Sequence, residues 1–183
     1  MSSSHDKLDS LYAILRGMIR EEIDQTPGFR ELTGRSALPA NVHAESTILG
    51  AILLDNAAHT EAAEKLESDD FSLDSHRRIF LCMTELMNGQ RAVDIVTLSN
   101  QLGENGCKEI GGVAYFAGLT EGLPRLPRVS EYIAIVQEKA KLRRIMEACV
   151  EAIRTAEEQQ VPAAEIVIQL GVALKGIKKS NGK

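Results

Sequence analysis

Residues 129–158 read VSEYIAIVQEKAKLRRIMEACVEAIRTAEE, thirty residues with no proline or glycine. Tyr132, Ile135, Lys139, Leu142, Met146, Cys149 and Ile153 alternate in steps of three and four. That spacing puts them on one stripe of a long helix, a coiled-coil-like seam with a single polar interruption. Ile133, Val136 and Ile145 lie off the stripe and need a second surface, either the rest of the chain or another copy. Pro162 suits the first turn of a following helix. In that helix Ala163, Val167, Leu170, Leu174 and Ile177 step by four and three, with Ile166 off the stripe. A short turn joins the two segments, so together they predict an antiparallel hairpin.

Working outward, Leu123-Pro124-Arg125-Leu126-Pro127 forbids a helix and makes a stiff connector. Residues 123–178 are therefore read as connector and hairpin. Residues 39–122 break into shorter helices. Asn41 is placed to cap a stripe of Ala44, Ile48, Leu49, Ile52 and Leu53, which ends at Asp55-Asn56. A short helix over 58–67 follows. Asp74 is placed to cap a helix with Ile79, Phe80, Met83, Leu86 and Met87 inward, and Gly89 to end it. Asp94 caps a helix through Leu98 and Leu102, and Gly111-Gly112 opens another with Val113, Phe116 and Leu119 inward. Residues 1–38 form an extension in which Leu8, Leu11, Tyr12, Leu15, Ile19 and Ile23 predict an amphipathic helix over 8–24, followed by a linker. Residues 179–183 are a basic tail. Aromatics are only 4% and tryptophan is absent, so the core must come from Leu, Ile, Val and Ala. Such a core suits helix-on-helix packing. The expected class is all-α: a compact cluster of short helices followed by a long antiparallel helical hairpin.

A search for chemistry returns little. The nearest approach to a phosphate-binding loop is GVALKGIKKS, Gly171 to Ser180, where Ile177 stands at the lysine position and the context is helical rather than strand-to-helix. His5, His43, His59 and His76 form no metal-ligand spacing. His76 is read as serving local structure near Asp74. Cys82, Cys107 and Cys149 are far apart and read as buried, reduced thiols. The acid pairs Asp69-Asp70 and Glu157-Glu158 sit beside turns and are read as solvated. No catalytic, metal or cofactor site is proposed. The net charge of −5 disfavours unaided phosphate contact. No apolar run approaches the ~20 residues of a membrane span, and the first thirty residues carry no signal-peptide core. A cytoplasmic protein is expected.

Six segments, in this order, carry a resemblance. They are Pro39-Ala-Asn41-Val-His43-Ala44-Glu45; Ile48-Leu49-Gly50; Asp70-Phe71 with His76-Arg-Arg-Ile79-Phe80; Val93-Asp94 with Thr97-Leu98; Ile110-Gly111-Gly112 with Tyr115; and Tyr132 with Ile135-Val136, Lys139 and Arg143-Arg144. Residues 39–178 resemble the N-terminal domain of DnaB-type replicative DNA helicases. The resemblance implies a non-catalytic assembly and partner-docking domain in DNA replication. Hairpins would pair between chains, as a dimer or as the trimer of dimers that forms the collar of a hexameric ring. Tyr132, Leu142, Met146, Leu170 and Leu174 are the expected self-association residues. Tyr115, Arg143 and Met146 are the expected contacts for the primase C-terminal domain, and a helicase loader would act on the same ring. DNA would be touched only through an ATP-dependent motor, for which this chain has no matching segment. His43 stands where the family has a glutamate, and Pro127-Arg128 replaces Ala-Asn before the hairpin. A DNA-binding regulator using residues 8–36 as a helix-turn-helix is the alternative, and the acidic charge weighs against it.

Overall fold

The computed structural model describes residues 38–123 and 128–179. The expectations for the 8–24 helix, for prolines 124 and 127 and for the tail beyond 179 lie outside the described residues. Among the described residues there are seven α-helices and no strand. They are α1 (Val42–Leu54), α2 (Ala57–Lys65), α3 (Asp74–Asn88), α4 (Ile95–Ile110), α5 (Gly112–Thr120), α6 (Val129–Glu158) and α7 (Ala163–Lys179), with a single 3-10 turn at Ser68–Asp70. The fold is a cluster of short helices followed by a long helical hairpin. The described residues divide into two compact units, one of Ala40–Ala140 and one of residues 141–179 with Leu38 and Pro39.

In the first unit, local chemistry sets the helix ends. The Asn41 side chain accepts from Ala44 N at 3.0 Å and starts α1. Asp94 accepts from Val96 N and Thr97 N, both at 2.8 Å, and starts α4. Asp74, the expected cap of α3, is instead its first residue, and Leu73 holds the cap position with no side-chain bond. Gly89 follows α3 at φ −80°, and the left-handed residue is Gln90 at φ 55°. The helix begun at Asp94 continues to Ile110 past a break at Gly103, whose φ of 71° and ψ of 171° suit glycine alone. Asn56, at the α1–α2 turn, donates to Val93 O at 2.8 Å and accepts from Val93 N at 2.9 Å, so it ties the turn to the start of α4.

Ile48, Leu49, Ile52, Phe71, Ile79, Met83, Leu86, Leu98 and Phe116 form the centre of the core. Val129, Ile133 and Val136 from the first turns of α6 join it. Ile133 and Val136 thus find their second surface within this unit. Helix α1 packs on α2, α3 and α5. Its approach to α5 depends on Gly50, where a Cβ would lie 2.0 Å from the carbonyl oxygen of Leu119. Phe116 and Leu119 face inward as expected, but Val113, in the first turn of α5, is exposed.

In the second unit, four residues, Gln159 to Pro162, separate α6 from α7, so the helices run antiparallel. Gln159 takes φ 54° at the turn. Pro162 lies just before α7, and its carbonyl accepts from Glu165 N and Ile166 N. Arg154 bridges Glu151 and Glu158 along the exposed side of α6. The segment from Gly171 to Lys179 is helix throughout, which removes the phosphate-loop reading.

Candidate functional site: a buried carboxylate–imidazole–phenol relay and the outward face of the hairpin

Glu45 lies on the apolar face of α1, in register with Ile48, Leu49 and Ile52, and is 1% exposed. Two neighbours satisfy its carboxylate. Ser72 N donates to Oε1 at 2.8 Å, and Nδ1 of His76, itself 0% exposed, lies 2.8 Å from Oε2. On the far side of the ring, Nε2 of His76 is 2.7 Å from the Tyr115 hydroxyl. Arg77 holds the loop that supplies Ser72 by donating to Phe71 O at 2.9 Å and Ser72 O at 2.8 Å. One line of hydrogen bonds therefore joins α1, α3 and α5.

The proton positions follow from the acceptors. An ionised carboxylate can only accept, so Nδ1 carries the hydrogen and donates to Glu45. At Nε2 the direction depends on the ring, which accepts from the Tyr115 hydroxyl when neutral and donates to it when charged. Burial acts on Glu45 as the largest single effect and pushes its pKa up. Hydrogen bonds from His76 and Ser72, with the attraction of His76, outweigh it and hold the carboxyl below its ordinary value. An acid, an imidazole and a hydroxyl in line also occur in hydrolases. Here the hydroxyl is a phenol aimed inward at a fully buried ring, so no substrate could reach the imidazole. The arrangement locks three helices in place.

A second buried histidine stands nearby. His59 Nε2 is 3.0 Å from Thr84 Oγ1, whose own hydrogen goes to Phe80 O at 2.9 Å, so His59 is the donor. Its ring stacks on Phe80 with centroids 5.8 Å apart, and burial lowers its pKa. Asp70, expected to be solvated, is buried and accepts from Glu67 N at 2.9 Å. No group of three metal-ligating side chains occurs among the described residues. Cys82 and Cys107 are only half-buried and Cys149 is exposed, so the expectation of three buried thiols is not met, least of all at Cys149.

The hairpin residues lie differently from the single-chain reading of their pattern. The three-and-four stripe of α6 is its outward stripe. Leu142 is 37% exposed and Ile153 41%, with off-stripe Ile145 at 38% beside them. Tyr132 and Met146 are half-buried. On α7, Leu170 and Leu174 are half-buried together with Ile166 and Ile177, whereas Val167, Ile168 and Val172 are 65–70% exposed. Of the expected partner contacts, Tyr115 belongs to the first unit and is half-buried, with its hydroxyl engaged by His76. Arg143 and Met146 belong to the second, one helical turn apart. Arg143, expected at a partner-facing surface, is 1% exposed, and its Nη1 donates to Pro39 O at 2.8 Å.

Sequence reasoning misses Glu45 as a buried charge. The signal is present, because a glutamate shares the helical face of Ile48, Leu49 and Ile52. It also assigns His76 a local role, yet the partners of that ring are 31 and 39 residues away.

Residues 37–138 match the profile of the DnaB-like helicase N terminal domain. The replicative DNA helicase DnaB of Geobacillus stearothermophilus is 37% identical over 117 residues, which is 63% of this chain and 26% of that protein. That of Buchnera aphidicola subsp. Baizongia pistaciae is 32% identical over 134 residues, 73% of this chain and 29% of that protein. Among solved structures, the N-terminal domain of DnaB helicase from Mycobacterium tuberculosis superposes with a TM-score of 0.71 at 27% identity, covering 76% of this chain and 99% of that one. The chain thus spans about a quarter of the length of the curated relatives it matches. No helix among the described residues is long and apolar enough to cross a membrane. Glu45, His76 and Tyr115 all fall within the matched span, and on the match across more than half its length the chain belongs to the DnaB-like helicase N-terminal domain family.

Proposed function

We propose that this chain is a non-catalytic assembly and partner-docking module of a replicative DNA helicase, working in the cytoplasm during DNA replication. Its hairpins pair between copies through Tyr132, Leu142, Met146, Leu170 and Leu174, and three such pairs form the collar of a hexameric ring. The collar docks the C-terminal domain of primase, with Tyr115 and Met146 as contacts and Arg143 acting through the position it gives Pro39. A helicase loader acts on the same ring, and DNA is engaged only through a motor domain. The observation that carries this reading is the outward apolar stripe. Leu142, Ile145 and Ile153 on α6 and Val167, Ile168 and Val172 on α7 are all exposed on the two helices of the hairpin, and clustered exposed apolar side chains mark association sites.

The test is mass against concentration by light scattering, with and without a primase C-terminal domain. Met146→Glu should weaken pairing at least about tenfold, since a charge placed in an apolar contact is costly. A wild-type chain that stays monomeric at all concentrations and leaves the primase domain unbound would remove the proposal.

A further inference from the structure

We propose that Lys139 and Glu157 set the orientation and register of self-association. Lys139 of one copy meets Glu157 of a second, and the reverse, at the two ends of an antiparallel seam of α6 on α6. The inference rests on the assembly reading above and adds which way round the two helices lie.

The stripe of α6 contains one residue that does not suit an apolar contact. Lys139, Leu142, Met146, Cys149, Ile153 and Ala156 step by three and four along one continuous helix, and Lys139 is the charged member. A polar residue in such a seam costs stability and fixes register, because it must find a polar partner. Within the chain it finds none: neither Lys139 nor Glu157 has a hydrogen bond or ion pair among the described residues. Most other charges on this part of α6 are engaged. Arg143 holds Pro39 O, Arg154 bridges Glu151 and Glu158, and Arg144 and Glu147 have contacts of their own. Lys141 is off the stripe.

One register of a second copy satisfies every position. With a two-fold axis midway between Glu147 and Ala148, Leu142 lies opposite Ile153 of the second copy, Met146 opposite Cys149, and Lys139 opposite Ala156. Ala156 is small enough to admit the lysine stem, and the ammonium reaches the carboxylate of the next residue, Glu157. Glu138 lies on the other flank of the stripe from Glu157, so the two acids do not meet. The neighbouring registers fail. A shift of seven residues one way sets Lys139 against Cys149 and Val150, with no acid in reach. The opposite shift carries Lys139 past the end of α6 at Glu158. A parallel pair places Lys139 on Lys139 and Glu157 on Glu157, and like charges in contact are disfavoured.

The experiment uses the full chain and measures mass against concentration by sedimentation. Lys139→Glu alone, or Glu157→Lys alone, puts like charges at both ends of the seam. Self-pairing of either variant should weaken at least about tenfold. An equal mixture of the two variants puts opposite charges at both ends again, and it should pair within about threefold of wild type. The two positions are ~27 Å apart along α6, so no contact within one chain can produce that rescue. Glu157 is exposed in the last turn of α6, so Glu157→Lys keeps the helical content of wild type and is decisive even if Lys139→Glu disturbs the fold. Single variants that pair as tightly as wild type, or a mixture that pairs no better than its folded components, overturn the inference and leave the assembly reading standing. A wild-type chain that is monomeric at every concentration overturns both.

Discussion

Replacing Gly50 with alanine tests the packing of the first unit at its tightest point. The added Cβ would sit 2.0 Å from the carbonyl oxygen of Leu119, 2.8 Å from its carbonyl carbon and 2.6 Å from Leu123 Cδ1. Leu123 can rotate aside, but the α5 backbone cannot, so α1 and α5 must separate by about 1 Å to reach 3.0 Å. A gap of that size forfeits a quarter to a half of each dispersion contact it opens. Phe116 and Leu119, both buried, are the side chains that would lose contact. Overpacking that forces side chains and backbone to shift typically costs about 1–3 kcal/mol, and the backbone clash here places it at the upper end. Alanine is favoured over glycine in a helix by about 1 kcal/mol, which offsets part of the loss. The net expectation is a loss of about 2 kcal/mol. Urea denaturation gives this directly, and the melting temperature should fall by roughly 4–8 °C for a chain of this size. Gly118→Ala is the internal control. It lies on α5 with nothing within 4 Å of where the new methyl group would sit, so the same chemical change should be neutral or stabilising by up to about 1 kcal/mol. If Gly50→Ala melts within a degree of wild type, the close crossing of α1 and α5 is wrong.

The relay gives a graded series. His76→Ala strands a buried carboxylate and should cost about 3–5 kcal/mol, whereas Tyr115→Phe removes one hydrogen bond and should cost about 1 kcal/mol; equal losses in urea titrations would contradict the geometry. Acid should weaken the fold in two stages. His59 has a lowered pKa in the folded chain, so its contribution is complete above its ordinary value of about 6.5 and declines as pH falls below it. Glu45 is also lowered, so its contribution is complete above about 4.3 and is lost only at more acid pH. Melting temperature against pH should show both stages, with His59→Gln flattening the first and Glu45→Gln the second. Arg143→Ala should destabilise by about 2 kcal/mol, because it removes a buried, charge-assisted hydrogen bond to Pro39 O; thermal melts identical to wild type would return Arg143 to the surface.

What is legible in the sequence is what neighbours along the chain decide. Asn41 and Asp94 cap helices with their own side chains three residues or fewer away, and the limits of α6 follow from a run without proline or glycine. Glycines 111 and 112 mark the α4–α5 turn for the same reason, since Gly111 must take φ 108° there. Orientation is less legible. Val113 has the right spacing to face inward with Phe116, yet the packing of α1 and α4 on α5 decides which of its sides is covered. The seam of α6 illustrates the same point on a larger scale. Periodicity identifies the apolar stripe but cannot say which surface meets it, and the core takes Ile133 and Val136 instead. The relay is hidden because its three members sit on three helices and no local pattern pairs a glutamate with a histidine 31 residues later.

The relay also bears on how the first unit folds and unfolds. Its bonds close loops of 31 and 39 residues, and closing such loops precedes any reward from the contacts they enable. A half-formed cluster with α1 docked and α3 absent would hold a carboxylate in apolar surroundings without its His76 partner, and with the Ser72 loop no longer held by Arg77, a species heavily disfavoured. Partial structures are therefore penalised, and the slow-exchanging amides of α1, α3 and α5 should open together in one cooperative event rather than helix by helix.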